Sequence, residues 1–276
     1  MNPTVRVRQP AVAGLFYPAQ PARLVSAVRE LLAVPGAEPG AARAAIAPHA
    51  GYVYSGRTAG QVFARLAVPR RCVVLAPNHT GLGDAREGGS VYAVGSFVTP
   101  MGEVPVDETF AADLLARCDL LEDDPAAHAR EHAVEVELPF LLARRPDLRV
   151  VPVVLGWSDW PRTRALGEAL AEAVRASDEP VLLLASSDMT HYESAASAQA
   201  KDRLALAEVE RLDGERLLDV TRRHGVTMCG RVPAAAVLHA ARLLGGGRGE
   251  LVHYSHSGQV TGDDGSVVSY AGVIAA

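Results

Sequence analysis

The apolar positions of the chain fall into short continuous runs, separated by longer stretches with three- and four-residue spacing. The runs at residues 44–47 (AAIA), 72–76 (CVVLA), 148–155 (LRVVPVVL) and 181–185 (VLLLA) are almost wholly hydrophobic. Such runs read as strands covered on both faces of a parallel sheet. Two more, at 251–255 and 267–274, read as closing strands. Between the runs, Leu24, Val28, Leu31 and Leu32 predict a helix over residues 23–33. Ala59, Val62, Phe63 and Leu66 predict a second, with Ser55 as its cap. Asp107 is read as the cap of a helix carrying Phe110, Leu114 and Leu115. Pro125 is read as opening a helix that runs through His132 to about Leu142, bent at Pro139. Leu166, Leu170 and Val174 predict a helix over 163–176, and residues 194–223 a charged helical surface layer. Pro233 opens a helix that ends before Gly245-Gly246-Gly247. Residues 1–20 read as extended, 34–42 and 80–89 as loops, 90–98 as a strand pair or bent strand, and 99–102 as a turn. Strands alternating with helices predict one α/β domain, residues 1–276, around a mainly parallel sheet.

Three of the runs end alike. The first leads into Pro48-His49-Ala50-Gly51 and the second into Pro77-Asn78-His79. The third leads into Ser186-Ser187-Asp188-Met189-Thr190-His191. Open α/β sheets bind ligands beyond the carboxyl ends of their strands, so the three loops are expected to build one site. His49 and His79 sit among small residues, and neutral imidazoles are common metal ligands. Hydrogen bonding to loop backbone is the plainer alternative. Asp188 and His191 would face one way if their turn were helical, with Asp188 orienting a histidine. Otherwise Ser187 or Asp188 caps the helix that follows.

Cys229 precedes the helix of Pro233. A thiol beside a helix N-terminus has a lowered pKa and suits a nucleophile or a metal ligand. Arg231 could hold an anionic ligand. His132 and Glu135, three apart, would share a helix face as an acid/base pair or as support for a site. An amphipathic surface helix accounts for them as well. Cys72, Cys118, His224, His239, His253 and His256 read as structural.

Composition narrows the function. The chain has 276 residues, 49% of them hydrophobic, and a net charge of −5. There is no basic excess for phosphates, which argues against nucleic acid as a partner. Three scattered cysteines form no disulfide framework, so a reducing cytoplasm is the expected location. No run of about 18 apolar residues suggests a membrane span. Nucleophile-elbow, P-loop, dinucleotide-binding, zincin and CxxC patterns are all missing.

The motifs Ala13–Pro18 (AGLFYP), 48–56 (PHAGYVYSG), 77–79 (PNH), 99–107 (TPMGEVPVD), Glu131-His132, 186–192 (SSDMTHY), Met228-Cys229-Gly230 and Tyr270-Ala271-Gly272 occur in one order along nearly the whole chain. In this combination the chain resembles the Memo family, called AmmeMemoRadiSam system protein B in prokaryotes. The resemblance implies a fold similar to class III extradiol dioxygenases, an α/β sandwich around a mainly parallel sheet. Those enzymes hold non-haem Fe(II) with two histidines and a glutamate. By resemblance His49 and His79 match the histidines, Cys229 takes the third place, and Asp188 and His191 line the same cleft. The implied cofactor is Fe(II) or copper and the implied role that of an oxidoreductase. The implied partners are a small-molecule or peptide ligand in the cleft and an associated radical-SAM protein. Cysteine is softer than carboxylate and oxidises readily, which argues against ring-opening dioxygenation. Three functions follow as expectations. One is a metal-binding redox protein with His49, His79 and Cys229 as ligands and Asp188, His191 and His132 in support. Another is a scaffold gripping a peptide or phosphorylated group through His49, His191 and Arg231. The last is metal-free nucleophilic catalysis by Cys229.

Overall fold

A computed structural model describes residues 6–83 and 88–276. Residues 84–87 of the expected loop at 80–89, and residues 1–5, lie outside the described residues.

The apolar runs form the middle of the main sheet. Its centre is the parallel set Ala44–Ala47, Val181–Ser186, Arg71–Pro77 and Arg149–Leu155, in that spatial order. Ala44 pairs with Leu183, and Cys72 pairs with Leu182 on one side and Val150 on the other. Every residue of Ala44–Ala47 and Val181–Ser186 is buried, which is why these strands read as unbroken hydrophobic runs and not as alternations. Antiparallel strands flank the set. Val267–Ala275 pairs with Ala44–Ala47, and Gly89–Val91 pairs with Arg149–Leu155.

Helices cover both faces. Arg231–Leu243 lies against the central strands and packs on Trp160–Ala176 and Gly214–Arg223. Tyr52–Ala64 packs on Ala44–Ala47 and Val267–Ala275, and is covered by Pro21–Leu32 and Leu138–Arg144. The expected strand pair at 90–98 resolves into Gly89–Val91 in the main sheet and Ser96–Thr99 in a separate three-stranded sheet. There Ser96–Thr99 and Gly102–Pro105 form a hairpin across the expected turn. Gly102 has φ +139°, a conformation that favours glycine.

Two helix readings change. The helix expected from Ser55 begins at Tyr52, with Gly51 at the cap position. Ser55 is buried and its hydroxyl donates to the Ala50 carbonyl at 2.8 Å, while the Tyr52 N–H is satisfied by the Phe16 carbonyl at 2.7 Å. The single helix expected from Pro125 to about Leu142 is instead a short helix, Pro125–His128, a 3₁₀ turn, Glu135–Glu137, and a helix, Leu138–Arg144. Glu131, Glu135 and Glu137 are all buried, so this segment cannot be a surface helix. Glu135 is the anchor for the N-terminal strand. It pairs with the buried Arg8 guanidinium and accepts from the Tyr17 hydroxyl and from the Ala11 and Val12 N–H groups at 2.8 and 3.0 Å. Arg8 also donates to the carbonyls of His128 and Glu131. Glu135 therefore takes no part in an acid/base pair with His132.

Candidate functional site

The sheet order decides where the loops go. Val181–Ser186 runs between Ala44–Ala47 and Arg71–Pro77, all in one direction. Their carboxyl ends open together, so the loops of His49 and His79 flank the Ser186–Asp188 loop. Strands that are next-but-one neighbours stand roughly 10 Å apart, a gap two facing imidazoles can span. The His49 and His79 ring centroids are 5.1 Å apart, nearly perpendicular.

Each ring is tethered through Nδ1. His79 Nδ1 lies 2.9 Å from Glu131 Oε1, and its own N–H donates to Oε2 at 2.7 Å. The same carboxylate accepts the N–H groups of His132 and Ala133 at 2.9 and 3.0 Å. Burial would raise the Glu131 pKa, but the hydrogen bond from His79, its charge and that of His132, and the Ala133 N–H hold it below the ordinary carboxylate range. His49 is buried, with Nδ1 2.9 Å from the Ser186 hydroxyl. Burial and the neighbouring histidines push its pKa well down, so the ring is neutral. With Nδ1 engaged in each, Nε2 is the ring nitrogen left free for a ligand, and both histidines line the cleft.

Cys229 arrives from the loop before Arg231–Leu243. Its Sγ lies 3.3 Å from His49 Nε2 and accepts the Asp188 N–H at 3.3 Å. Gly230 permits this approach. A Cβ there would meet the Ser186 carbonyl oxygen at 2.4 Å and the Ser187 Cβ at 2.5 Å. One ligand atom from each of His49, His79 and Cys229 lies within 4.8 Å of the others.

The thiol differs from the sequence expectation. Its place two residues before a helix predicted a lowered pKa. Burial, and then the Asp188 charge, push it up to about 12. Those effects outweigh the helix terminus, so a metal-free Cys229 is a poor nucleophile at neutral pH.

Asp188 supports the site through the backbone. Its Oδ1 accepts the N–H groups of His49 and Ala50, at 2.9 and 3.3 Å. Burial raises its pKa to about 7 against those two bonds. The turn after Ser186 is not helical, so Asp188 and His191 do not share a helix face, and Ser194 itself caps the next helix. His191 lines the cleft, with Nδ1 3.1 Å from the Thr227 carbonyl. His132 stacks on His79 at 4.7 Å between centroids and touches Phe16 at 4.9 Å. Arg231 borders a different groove, along Gly214–Arg223, which Cys229 also borders. The histidine cleft has a volume of about 670 Å³, with Leu15, Tyr54 and Tyr192 at its mouth. Tyr192 is 80% exposed and holds a left-handed backbone, φ +59°.

Ser186, Glu137 and the tethering role of Glu131 were not foreseen from sequence. Ser186 and Glu137 leave a trace there, since each is a polar residue beside an apolar run. What each one binds does not show until the chain is folded.

A family model described as Memo-like protein matches residues 8–274. The chain belongs to the Memo family. A MEMO1 family protein of Methanopyrus kandleri is 39% identical, covering 97% of this chain and 98% of its own length. One of Aquifex aeolicus is also 39% identical, over 98% of this chain and 99% of its own. One of Methanocaldococcus jannaschii is 34% identical, with coverage of 98% and 99%. Among solved structures, an uncharacterised protein of Escherichia coli K12 aligns with TM-score 0.49 and 17% identity, over 83% of this chain and 98% of that one. For this Memo family protein, no helix among the described residues is long and apolar enough to cross a membrane. Cys72 and Cys118 are free and buried, and Cys229 is partly buried.

Proposed function

We propose that this Memo family protein binds a redox-active metal ion, non-haem iron or copper, between His49, His79 and Cys229, and acts as a redox protein or oxidoreductase on a small ligand in the cleft. The observation that carries this reading is the triad of ligand atoms within 4.8 Å, with both imidazoles tethered at Nδ1. Tethering the far nitrogen of a ligating histidine is a recurrent device of metal sites. The donor set fits the ion. Two imidazoles and one thiolate are soft enough for copper or iron, whereas an all-oxygen site would suit magnesium or calcium. Bound there, the metal would supply a redox centre and a Lewis acid for an oxygen-bearing ligand. The chain's own residues would orient and enclose. Asp188 fixes the His49 backbone, Glu131 fixes His79, and His132 and His191 face the same space.

The test is anaerobic purification followed by metal analysis and titration with Fe(II) and Cu(I). The expected result is about one ion per chain in the wild type and strong loss in His49→Ala, His79→Ala and Cys229→Ser. A wild type that takes up neither ion overturns the reading.

One observation favours a second reading, a peptide-binding scaffold. At Leu15, Phe16 and Val53 the histidine cleft meets another groove, of about 750 Å³, beside Pro21–Leu32, which would suit a ligand longer than one side chain. Peptide affinity that survives both chelation and Cys229→Ser supports the scaffold, and loss of binding on chelation counts against it.

A further inference from the structure

Ser186 is fully buried, and its hydroxyl touches three polar atoms at once. His49 Nδ1 lies at 2.9 Å, the Ala133 carbonyl oxygen at 2.7 Å and Glu137 Oε1 at 2.8 Å. A hydroxyl offers one proton and two lone pairs. The Ala133 carbonyl can only accept, so it takes the proton. The other two neighbours must then donate to the serine oxygen. That places a proton on His49 Nδ1 and another on Glu137 Oε1.

The opposite assignment is costly. If the hydroxyl donated to His49 or to an ionised Glu137, the buried Ala133 carbonyl would face an oxygen lone pair at hydrogen-bond distance. An ionised Glu137 would also be a fully buried charge with no cation bonded to it among the described residues, where its other oxygen, Oε2, has no hydrogen-bond partner. Burial independently pushes the Glu137 carboxyl well above the ordinary range.

We propose that Ser186 and Glu137 are positioning residues that lock His49 in its Nδ1–H tautomer, with Glu137 held as a neutral acid. The lone pair of His49 then always sits on Nε2, 3.3 Å from Cys229 Sγ. The proposal deepens the metal-binding reading and rests on it for its purpose, because a ligand nitrogen fixed in this way has no proton to lose when an ion binds. The lock is a property of the metal-free protein and can be tested without any ion. The two histidines reach the same end differently. His79 is fixed by an ionised carboxylate, and His49 by a neutral acid acting through a hydroxyl. The second device adds no negative charge beside the thiol.

The experiment is a long-range proton–nitrogen correlation spectrum of the ¹⁵N-labelled, metal-free full chain at pH 7, with His49 assigned by its loss in His49→Ala. A protonated Nδ1 and a bare Nε2 are expected. A wild-type His49 protonated on Nε2 overturns the lock. Infrared difference spectra of wild type against Glu137→Gln should show the carbonyl band of a protonated acid at neutral pH. An ionised-carboxylate band in its place overturns the neutral acid. Ser186→Ala should give mixed tautomers and about a 10- to 100-fold weaker Zn(II) affinity, and Ser186→Thr should restore both. Unchanged tautomer and affinity in a folded Ser186→Ala overturn the positioning role. If the wild type shows the lock yet binds neither Zn(II) nor iron nor copper, the lock stands and the metal reading fails.

Discussion

His49 Nε2 stands 3.3 Å from Cys229 Sγ across 180 residues of sequence, one group at a strand end and the other just before a helix. This contact joins the two halves of the site, because Asp188 binds both partners. Its carboxylate takes the His49 N–H and its own N–H reaches the sulfur.

The thiol pushed up to about 12 makes the first prediction. At pH 7 a free cysteine has a few per cent of its thiol ionised, and a group at about 12 has on the order of a thousandfold less. Metal-free protein should therefore be alkylated at Cys229 far more slowly than free cysteine at pH 7, with the rate climbing as pH rises toward 10. Iodoacetamide labelling followed by peptide mass spectrometry measures it. Labelling of Cys229 as fast as free cysteine would contradict the burial and the Asp188 charge as the controlling effects, and would revive metal-free nucleophilic catalysis.

Gly230→Ala should damage the site by steric means alone. Its φ of −92° is open to alanine, but the added methyl would lie 2.4 Å from the Ser186 carbonyl oxygen. That neighbour is strand backbone and cannot rotate away. Overpacking of this kind costs about 1–3 kcal/mol. The expected outcome is a lower melting temperature together with loss of metal uptake, because the loop can relax only by withdrawing Cys229 from His49. Thermal melts and metal titration of the variant check both. A variant with normal uptake would show that the loop has slack.

Glu131 ties its own segment to the His79 loop through the N–H groups of His79, His132 and Ala133 and the His79 ring. Glu131→Ala leaves the buried Ala133 N–H and three partly buried donors of His79 and His132 without their acceptor and should cost about 1–3 kcal/mol. The pH dependence has a definite sign. A carboxylate held below its ordinary range contributes stability above its unfolded-state value, and that stability is lost as pH falls through the lower folded-state value. The stability gap between wild type and Glu131→Gln should therefore narrow as the pH drops below about 4. Denaturant unfolding of both proteins from pH 7 down to pH 3 would show it, and a gap independent of pH would argue that Glu131 is not ionised in the fold.

The legible parts of this chain were those decided by local pattern. Ala44–Ala47, Arg71–Pro77 and Val181–Ser186 show as strands because both faces are covered, and the meeting of His49 and His79 in one cleft is legible because each follows such a strand directly. The segment from Pro125 misled for a physical reason. Pro125 and Pro139 both sit in the first turn of separate helices, so the second was a start signal read as a bend. The buried glutamates between them answer to distant partners, Arg8 and Tyr17 for Glu135, and Ser186 for Glu137. The place of Cys229 before a helix marks it as a candidate nucleophile or ligand, but its place beside His49 and His79 comes only from family likeness, since His49 lies 180 residues away. Ser55 failed as a cap because the Tyr52 N–H is met by a carbonyl far upstream, at Phe16.

Asp188 gives a pH prediction of opposite sign to that of Glu131. Burial raises its pKa to about 7, from an ordinary value near 3.8, despite the two backbone bonds it accepts. Between about pH 4 and pH 7 the folded chain therefore holds more proton at this site than the unfolded chain. Stability is present in full below the unfolded value and declines as pH rises through the folded one. Asp188→Asn keeps an oxygen for the His49 and Ala50 N–H groups but cannot ionise. The variant should gain on the wild type steadily from pH 4 to pH 8, even if it starts less stable. Melting temperatures of the two metal-free proteins across that range check it. Burial, the largest cause of the raised Glu137 carboxyl, is common to both proteins and cancels in the difference, whereas the smaller part that the Asp188 charge adds is lost in the variant. A constant or shrinking advantage would mean that Asp188 is ionised throughout. The charge beside Cys229 would then be permanent, and the site would meet an incoming cation already negative at pH 5.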